Sequence, residues 1–187
     1  MVPTITDGVI VLNGHTDDDI PAHVAGEDEE TALRFGWWPQ KSTEADVRRA
    51  FDSWAREWQH GGPRRTFATR EVATSRLVGG CELRLQPDGS AEVSYWTSAG
   101  QRRRGFSTRA LALLLQYGSS IGVTRFESHV AEDNVASRRV SEHNGFRAAG
   151  TFTDTDGTFM IRYQARRRPP PGDGPGPPRT GCPVSEG

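Results

Sequence analysis

The stretch 91–118, AEVSYWTSAGQRRRGFSTRALALLLQYG, changes character once, and that change restricts the fold more than any other feature of the chain. Residues 92–97 are rich in aromatic and β-branched types, which suits a strand. A basic turn follows from Gly100 to Gly105 and carries Arg102, Arg103 and Arg104. Ala110, Leu111, Leu113, Leu114, Leu115 and Tyr117 then form an apolar run of helical type. A strand, a glycine-containing turn and a helix in that order point the free N–H groups of the first helical turn at one place. The helix dipole favours an anion there, and three arginines add cationic charge. The turn reads as a cradle for a bulky anionic ligand.

The rest of the chain supplies a setting for this unit. A length of 187 residues favours one domain that can bury a core without staples. The charge balance of 23 basic against 24 acidic residues, a net of −1, demands neither nucleic acid nor a membrane surface. Cys81 and Cys182 do not make a disulfide framework, and they fit a reducing compartment. The start MVPTITDG lacks the basic and apolar regions of a signal peptide. No apolar run approaches the ~18 residues that span a bilayer. These features place the protein in the cytoplasm.

Strands are expected over 9–12, 66–71, 77–85, 92–97, 124–130, 146–152 and 158–163, with turns at Pro87-Asp88-Gly89 and Asp156-Gly157. Asp17 is expected to cap a first helix, and the acidic run 26–30 to open a second. Thr43, with Asp46 three residues on, is a capping box for a helix carrying Val47, Phe51, Trp54 and Trp58. Asn134 caps a last helix that ends before Gly145. Mixed strands and helices around one sheet predict an α/β (α+β) three-layer domain with about six to seven strands. The domain is expected over 1–165. Residues 166–187 are rich in Pro, Gly and Arg and read as a disordered tail, of which 168–187 is expected to be dispensable.

Two segments carry a family resemblance. Tyr95-Trp96, a short spacer, then Arg102-x-Arg104-Gly105-Phe106-Ser107-Thr108-x-Ala110-Leu111 resembles the acetyl-CoA loop of the GNAT acetyltransferases, in their RimJ/RimL-type branch. Asn134-x-x-Ser137-x-x-Val140 followed by Gly145-Phe146 resembles the same branch's next helix and strand. The resemblance covers roughly 8–165 and implies an acetyl-CoA-dependent N-acetyltransferase working by direct transfer in a ternary complex. It implies that Trp96 and Thr97 pair with the pantetheine arm through their backbone, and that Asn134 and Ser137 contact the same arm. Arg102, Arg104 and Arg138 or Arg139 would reach phosphates, beside the loop residues Gly105, Phe106, Ser107 and Thr108. Glu92 is favoured as the base, with Glu82 next, and Ser141 stands near the thiol. Arg103 occupies the position of the family loop's first glycine. It is expected to keep an ordinary backbone, leaving Gly105 to carry the close approach to phosphate.

The acceptor implied is a small-molecule amine or a peptide N-terminus. The acidic run 27–30, Glu27 included, reads either as dipole complement or as a rim for a cationic amine. Trp37 and Trp38 read either as a lid on the core or as an aromatic wall of the acceptor pocket. A non-catalytic CoA-binding regulatory domain is the competing reading. Nucleic acid is disfavoured because acidic residues are interspersed throughout, and a homodimer is compatible with the chain. The histidines at 15, 23, 60, 129 and 143 lack ligand spacing, so no metal is expected. Gly118-Ser-Ser120-Ile-Gly122 matches a hydrolase elbow in letters alone, because the helix precedes it and a strand follows.

Overall fold

The computed structural model describes residues 1–34 and 40–167. The paired tryptophans Trp37 and Trp38, and the tail from 168 onward, lie outside the described residues. Among the described residues one mixed sheet holds eight strands in the order β1-β2-β3-β4-β5-β6-β8-β7. These are β1 (Ile5–Thr6), β2 (Ile10–Asn13), β3 (Arg64–Glu71), β4 (Leu77–Leu85), β5 (Ala91–Thr97), β6 (Arg125–Ala131), β7 (Arg147–Thr153) and β8 (Phe159–Arg166). Five α-helices among the described residues flank the sheet: α1 (Ile20–Gly26), α2 (Glu29–Arg34), α3 (Glu44–His60), α4 (Phe106–Ser120) and α5 (Val135–His143). The sheet has more strands than expected because β1 adds a two-residue edge against β2, pairing Ile5 with Leu12. The last strand runs through Arg166, and the Arg167 backbone N–H donates to the Thr124 carbonyl at 3.0 Å. The folded chain therefore reaches past the expected boundary at 165.

Local signals account for most element ends. Thr43 and Asp46 form the capping box of α3, and Gly61 closes that helix at φ 69°. Asn134 Oδ1 accepts from the Ser137 N–H at 3.0 Å and starts α5. Asp17 caps no helix: it opens a 3-10 turn, Asp17–Asp19, that leads into α1, and Thr16 caps that turn, with Asp19 accepting from the Thr16 N–H at 2.8 Å. Gly118-Ser-Ser120 is the end of α4, so no elbow is formed.

Every strand pair but one is antiparallel. The exception is β5 with β6, where the chain crosses over through α4. Tyr95 and Thr97 face α4 and α5, and the main core fills that layer with Leu83, Val93, Leu111, Leu114, Leu115, Phe126 and Tyr163. Trp96 faces the other way, its ring 4.6 Å from that of His23 on α1.

Behind Trp96 lies a second, more polar packing layer. His15 is enclosed by Phe51 at 4.6 Å and Trp54 at 4.8 Å between ring centres, and its Nε2 has no hydrogen-bond partner among the described residues. Burial pushes its ring down to about 3, with His23 and Arg70 acting the same way and Asp19 opposing. The folded value lies below the unfolded one. Stability from the neutral ring is therefore complete above about pH 6.5 and is lost as the pH falls below that. Urea unfolding at pH 7 and pH 5 is expected to differ by up to about 2 kcal/mol on this account. The difference shrinks in His15→Gln.

Candidate active site

The parallel pair β5–β6 stays in register only at Ala91↔Phe126 and Glu92↔Glu127. Beyond Glu92 the two strands part. Their separated ends form the walls of a cleft of about 1350 Å³, which the first turn of α4 and the start of α5 complete. A strand whose neighbour leaves keeps backbone donors and acceptors without a strand partner, so the cleft wall at Ser94–Thr97 is an edge inside the sheet.

The turn before α4 forms one end of this cleft. Gly105 caps the helix at φ 79°, and Gly105, Phe106, Ser107 and Thr108 line the cleft at the helix N-terminus. Thr97 Oγ1 lies 2.6 Å from Ser107 Oγ, which ties the end of β5 to that turn. Arg103 corrects the expectation of an ordinary backbone: it sits at φ 62°, in the left-handed region. The chain reverses between a short 3-10 turn at Ala99–Gln101 and α4, and it takes two left-handed residues, Arg103 and Gly105, to do so. The glycine that the resemblance leads one to expect at this position is thus matched in conformation but not in residue type. A side chain there costs roughly 1–2 kcal/mol. Arg103→Gly is expected to leave stability unchanged or raise it by up to about 1 kcal/mol, since glycine's extra unfolded entropy offsets part of the gain. Arg103→Val, β-branched at the same φ, is expected to lose about 1–2 kcal/mol in urea midpoints.

The three arginines divide. Arg103 lines the cleft. Arg102 also lines it, but its guanidinium is spent on Asp28 at 2.7 and 2.8 Å, Glu30 at 2.8 Å and Thr31 at 2.9 Å. That contact holds the Asp28 carboxyl well below its usual range and joins the acidic start of α2 to the loop. Arg104 turns away from the cleft, pairing with Glu71 and stacking on the Phe106 ring at 4.7 Å. Within the acidic run Asp28 and Glu30 are tied to Arg102, while Glu29 and Glu30 are exposed at the cleft. Glu27 lies outside the cleft, its side chain 4% exposed and 3.4 Å from His23 Nε2.

Asn134 and Ser137 line the opposite wall. Arg139 is exposed on α5 and off the cleft, while Arg138 is occupied by the Tyr163 hydroxyl and the Glu132 carbonyl. Ser141 is fully buried and does not line the cleft. Four residues beyond Ser137, it shares that face of α5 but sits one turn further from the helix start, away from the cleft. Tyr95, to which the sequence reading assigned no chemistry of its own, lines the cleft and turns its hydroxyl toward two serines of α5. That hydroxyl lies 2.9 Å from Ser137 Oγ and 3.5 Å from Ser141 Oγ. Burial raises the Tyr95 phenol, against hydrogen bonds with both serines, so it stays protonated at neutral pH.

The two carboxylate candidates separate as clearly. Glu82 is held by Thr66 at 3.2 Å and Arg84 at 3.2 Å, and lies off the cleft. Glu92 lines the cleft where the strands part, and its Oε1 is 3.7 Å from His129 Nδ1. His129 was likewise missed. Its lack of ligand spacing said nothing about the parallel pairing that carries it beside Glu92.

A family model described as an acetyltransferase (GNAT) domain matches residues 10–147. An N-acetyltransferase of Bacillus licheniformis is 26% identical over 96 residues, which is 50% of this chain and 54% of that relative, so the match spans about half its length. RimJ of Mycobacterium smegmatis, solved with a CoA disulfide, superposes with a TM-score of 0.72 at 21% identity, covering 88% of this chain and 86% of that one. An acetyl transferase of Salmonella typhimurium that modifies the N-terminal serine of a ribosomal subunit protein gives 0.71 at 17% identity, covering 88% and 99%. These structures share the fold, and the family match covers most of the domain, parted strands and helix turn included. The chain belongs to the GNAT acetyltransferase family.

Proposed function

We propose that the protein transfers the acetyl group of acetyl-CoA directly to a primary amine, on a small molecule or a peptide N-terminus, in a ternary complex. The observation that carries this is the parting of β5 and β6 after Glu92, with a helix N-terminus at one end of the gap. The gap suits the cofactor. The strand edge at 94–97 can pair with the amide groups of the pantetheine arm, and the α4 turn with Arg103 can hold its pyrophosphate. When bound there, acetyl-CoA supplies an activated acetyl thioester.

The remaining chemistry falls to side chains. An amine must be neutral to attack, and Glu92 takes its proton, directly or through a water. Tyr95 redirects toward the departing sulfur the hydroxyl proton that it gives to the Ser137 carbonyl at 3.1 Å, with Ser137 Oγ, 2.9 Å away, orienting the phenol. Ser141 supports Tyr95 from beneath. A ribosomal N-terminus is a reasonable first acceptor, given the activity named for the Salmonella relative.

The test measures thiol release from acetyl-CoA with a panel of small amines and peptides, with products identified by mass spectrometry. Acetylated amine is expected. Tight CoA binding with no product across the panel would favour the regulatory reading.

A further inference from the structure

The register of the parallel pair sets Glu92 directly beside Glu127. Two residues on, His129 lies on the same face, between them. Its Nε2 is 2.6 Å from Glu127 Oε1 and its Nδ1 is 3.7 Å from Glu92 Oε1. Glu127 is itself anchored from β8, by Arg162 Nε at 3.3 Å and Gln164 Nε2 at 2.9 Å. From β7, Phe152 sets its ring edge to face with the imidazole at 4.9 Å between centres. Arg162 in turn lies 5.7 Å over the Phe152 ring.

The arrangement has a direction. A carboxylate at Nε2 fixes the tautomer with the proton on that nitrogen, so the Nδ1 lone pair faces Glu92. Burial works against the charge on Glu127, but hydrogen bonds from Gln164 and His129 and the charge on Arg162 keep its carboxyl below the usual range. Glu127 is therefore an acceptor throughout. The imidazole is 29% exposed, which leaves an exit to water.

We propose that His129 is a positioning residue that clears the base: it takes from Glu92 the proton that Glu92 has taken from the amine. This rests on Glu92 being the base. The steps balance. The ammonium N–H bond breaks and a Glu92 O–H bond forms. That O–H proton then crosses the 3.7 Å to Nδ1 through one water, giving an imidazolium flanked by Glu92 and Glu127, and Nδ1 finally loses it to solvent. The groups facing the ring are Glu92 on β5, Glu127 on its own strand, and Arg162 on β8.

The experiment compares Glu92→Gln, His129→Ala and Glu127→Gln for kcat across pH 6–9, with and without added imidazole. The acceptor is the best amine from the panel. His129→Ala is expected to lose about ten- to a hundred-fold in kcat, at most what one acid–base group contributes. Its KM for acetyl-CoA stays unchanged. Imidazole restores both kcat and the shape of the pH profile in this variant, and does nothing for Glu92→Gln. Glu127→Gln loses a smaller factor. A His129→Ala kcat at the wild-type level, or a loss that imidazole does not reverse and that leaves the pH profile unaltered, overturns the relay while Glu92 stands as base. A Glu92→Gln variant with wild-type kcat overturns both. Should His129→Ala not fold by circular dichroism, His129→Gln replaces it. A wild-type kcat and pH profile in that variant overturns the relay equally.

Discussion

Glu92→Gln is expected to lower kcat by about 10²–10⁴ while acetyl-CoA binding by calorimetry stays at the wild-type level. The substitution keeps the shape of the side chain and removes its ability to take a proton. Glu92 stands at the last position of β5 paired with β6, where the strand edge opens into the cleft. The groups proposed to hold the cofactor lie further along, at 94–97 and at the α4 turn, so the binding and proton-transfer functions fall on different residues. Glu82→Gln is the internal control. Its carboxylate is engaged by Thr66 and Arg84 and does not reach the cleft, so kcat stays near wild type. A reversed pattern, with Glu82→Gln inactive and Glu92→Gln unaffected, would place the base on β4.

Gly79→Ala is expected to cut stability and cofactor affinity together. A Cβ at Gly79 would stand 2.2 Å from the Trp96 carbonyl oxygen and 3.0 Å from the Thr97 Cα, both backbone atoms of the neighbouring strand. Backbone in the middle of a sheet cannot yield as a long side chain can. The overpacking costs about 1–3 kcal/mol, which for a chain of this size lowers Tm by roughly 2–12 °C. The strand pushed aside is the one whose free edge forms the cleft wall, so the calorimetric affinity for acetyl-CoA should fall as well. Gly100→Ala has open space around the new methyl and should change neither.

Much of this site is written locally. The capping box at Thr43, the Asn134 cap, the turn at Gly89 and the helix after Gly105 each depend on residues within a few positions of one another. The residues misjudged depend on something else. The sign of φ at Arg103 is imposed by the reversal around it, not by its own side chain, so letters that read Arg where glycine is usual do not reveal it. Ser141 and Ser137 share one face of α5, and a single turn of rise along the helix separates a residue at the cleft from a buried one. His129 meets Glu92 through a crossover connection that includes the whole of α4, a contact with no local trace. Glu27 is the exception. It stands four residues after His23 on one helix face, a spacing that could have been recognised as an internal pair rather than an open acidic rim.

The short seam between β5 and β6 bears on more than catalysis. A sheet joined at its middle by two residue pairs is two half-sheets, β1–β5 and β6–β8–β7, that borrow much of their mutual attachment from the helices packed across them. Under the proposed function, acetyl-CoA fills that seam as the missing strand, so it belongs to the folding equilibrium as much as to the reaction. A ligand that binds only the folded state adds about 2.7 kcal/mol at a hundredfold excess over Kd. The protein's lifetime against unfolding and proteolysis would then follow the supply of activated acetyl groups, so that a shortage of the donor lowers the amount of enzyme as well as its rate.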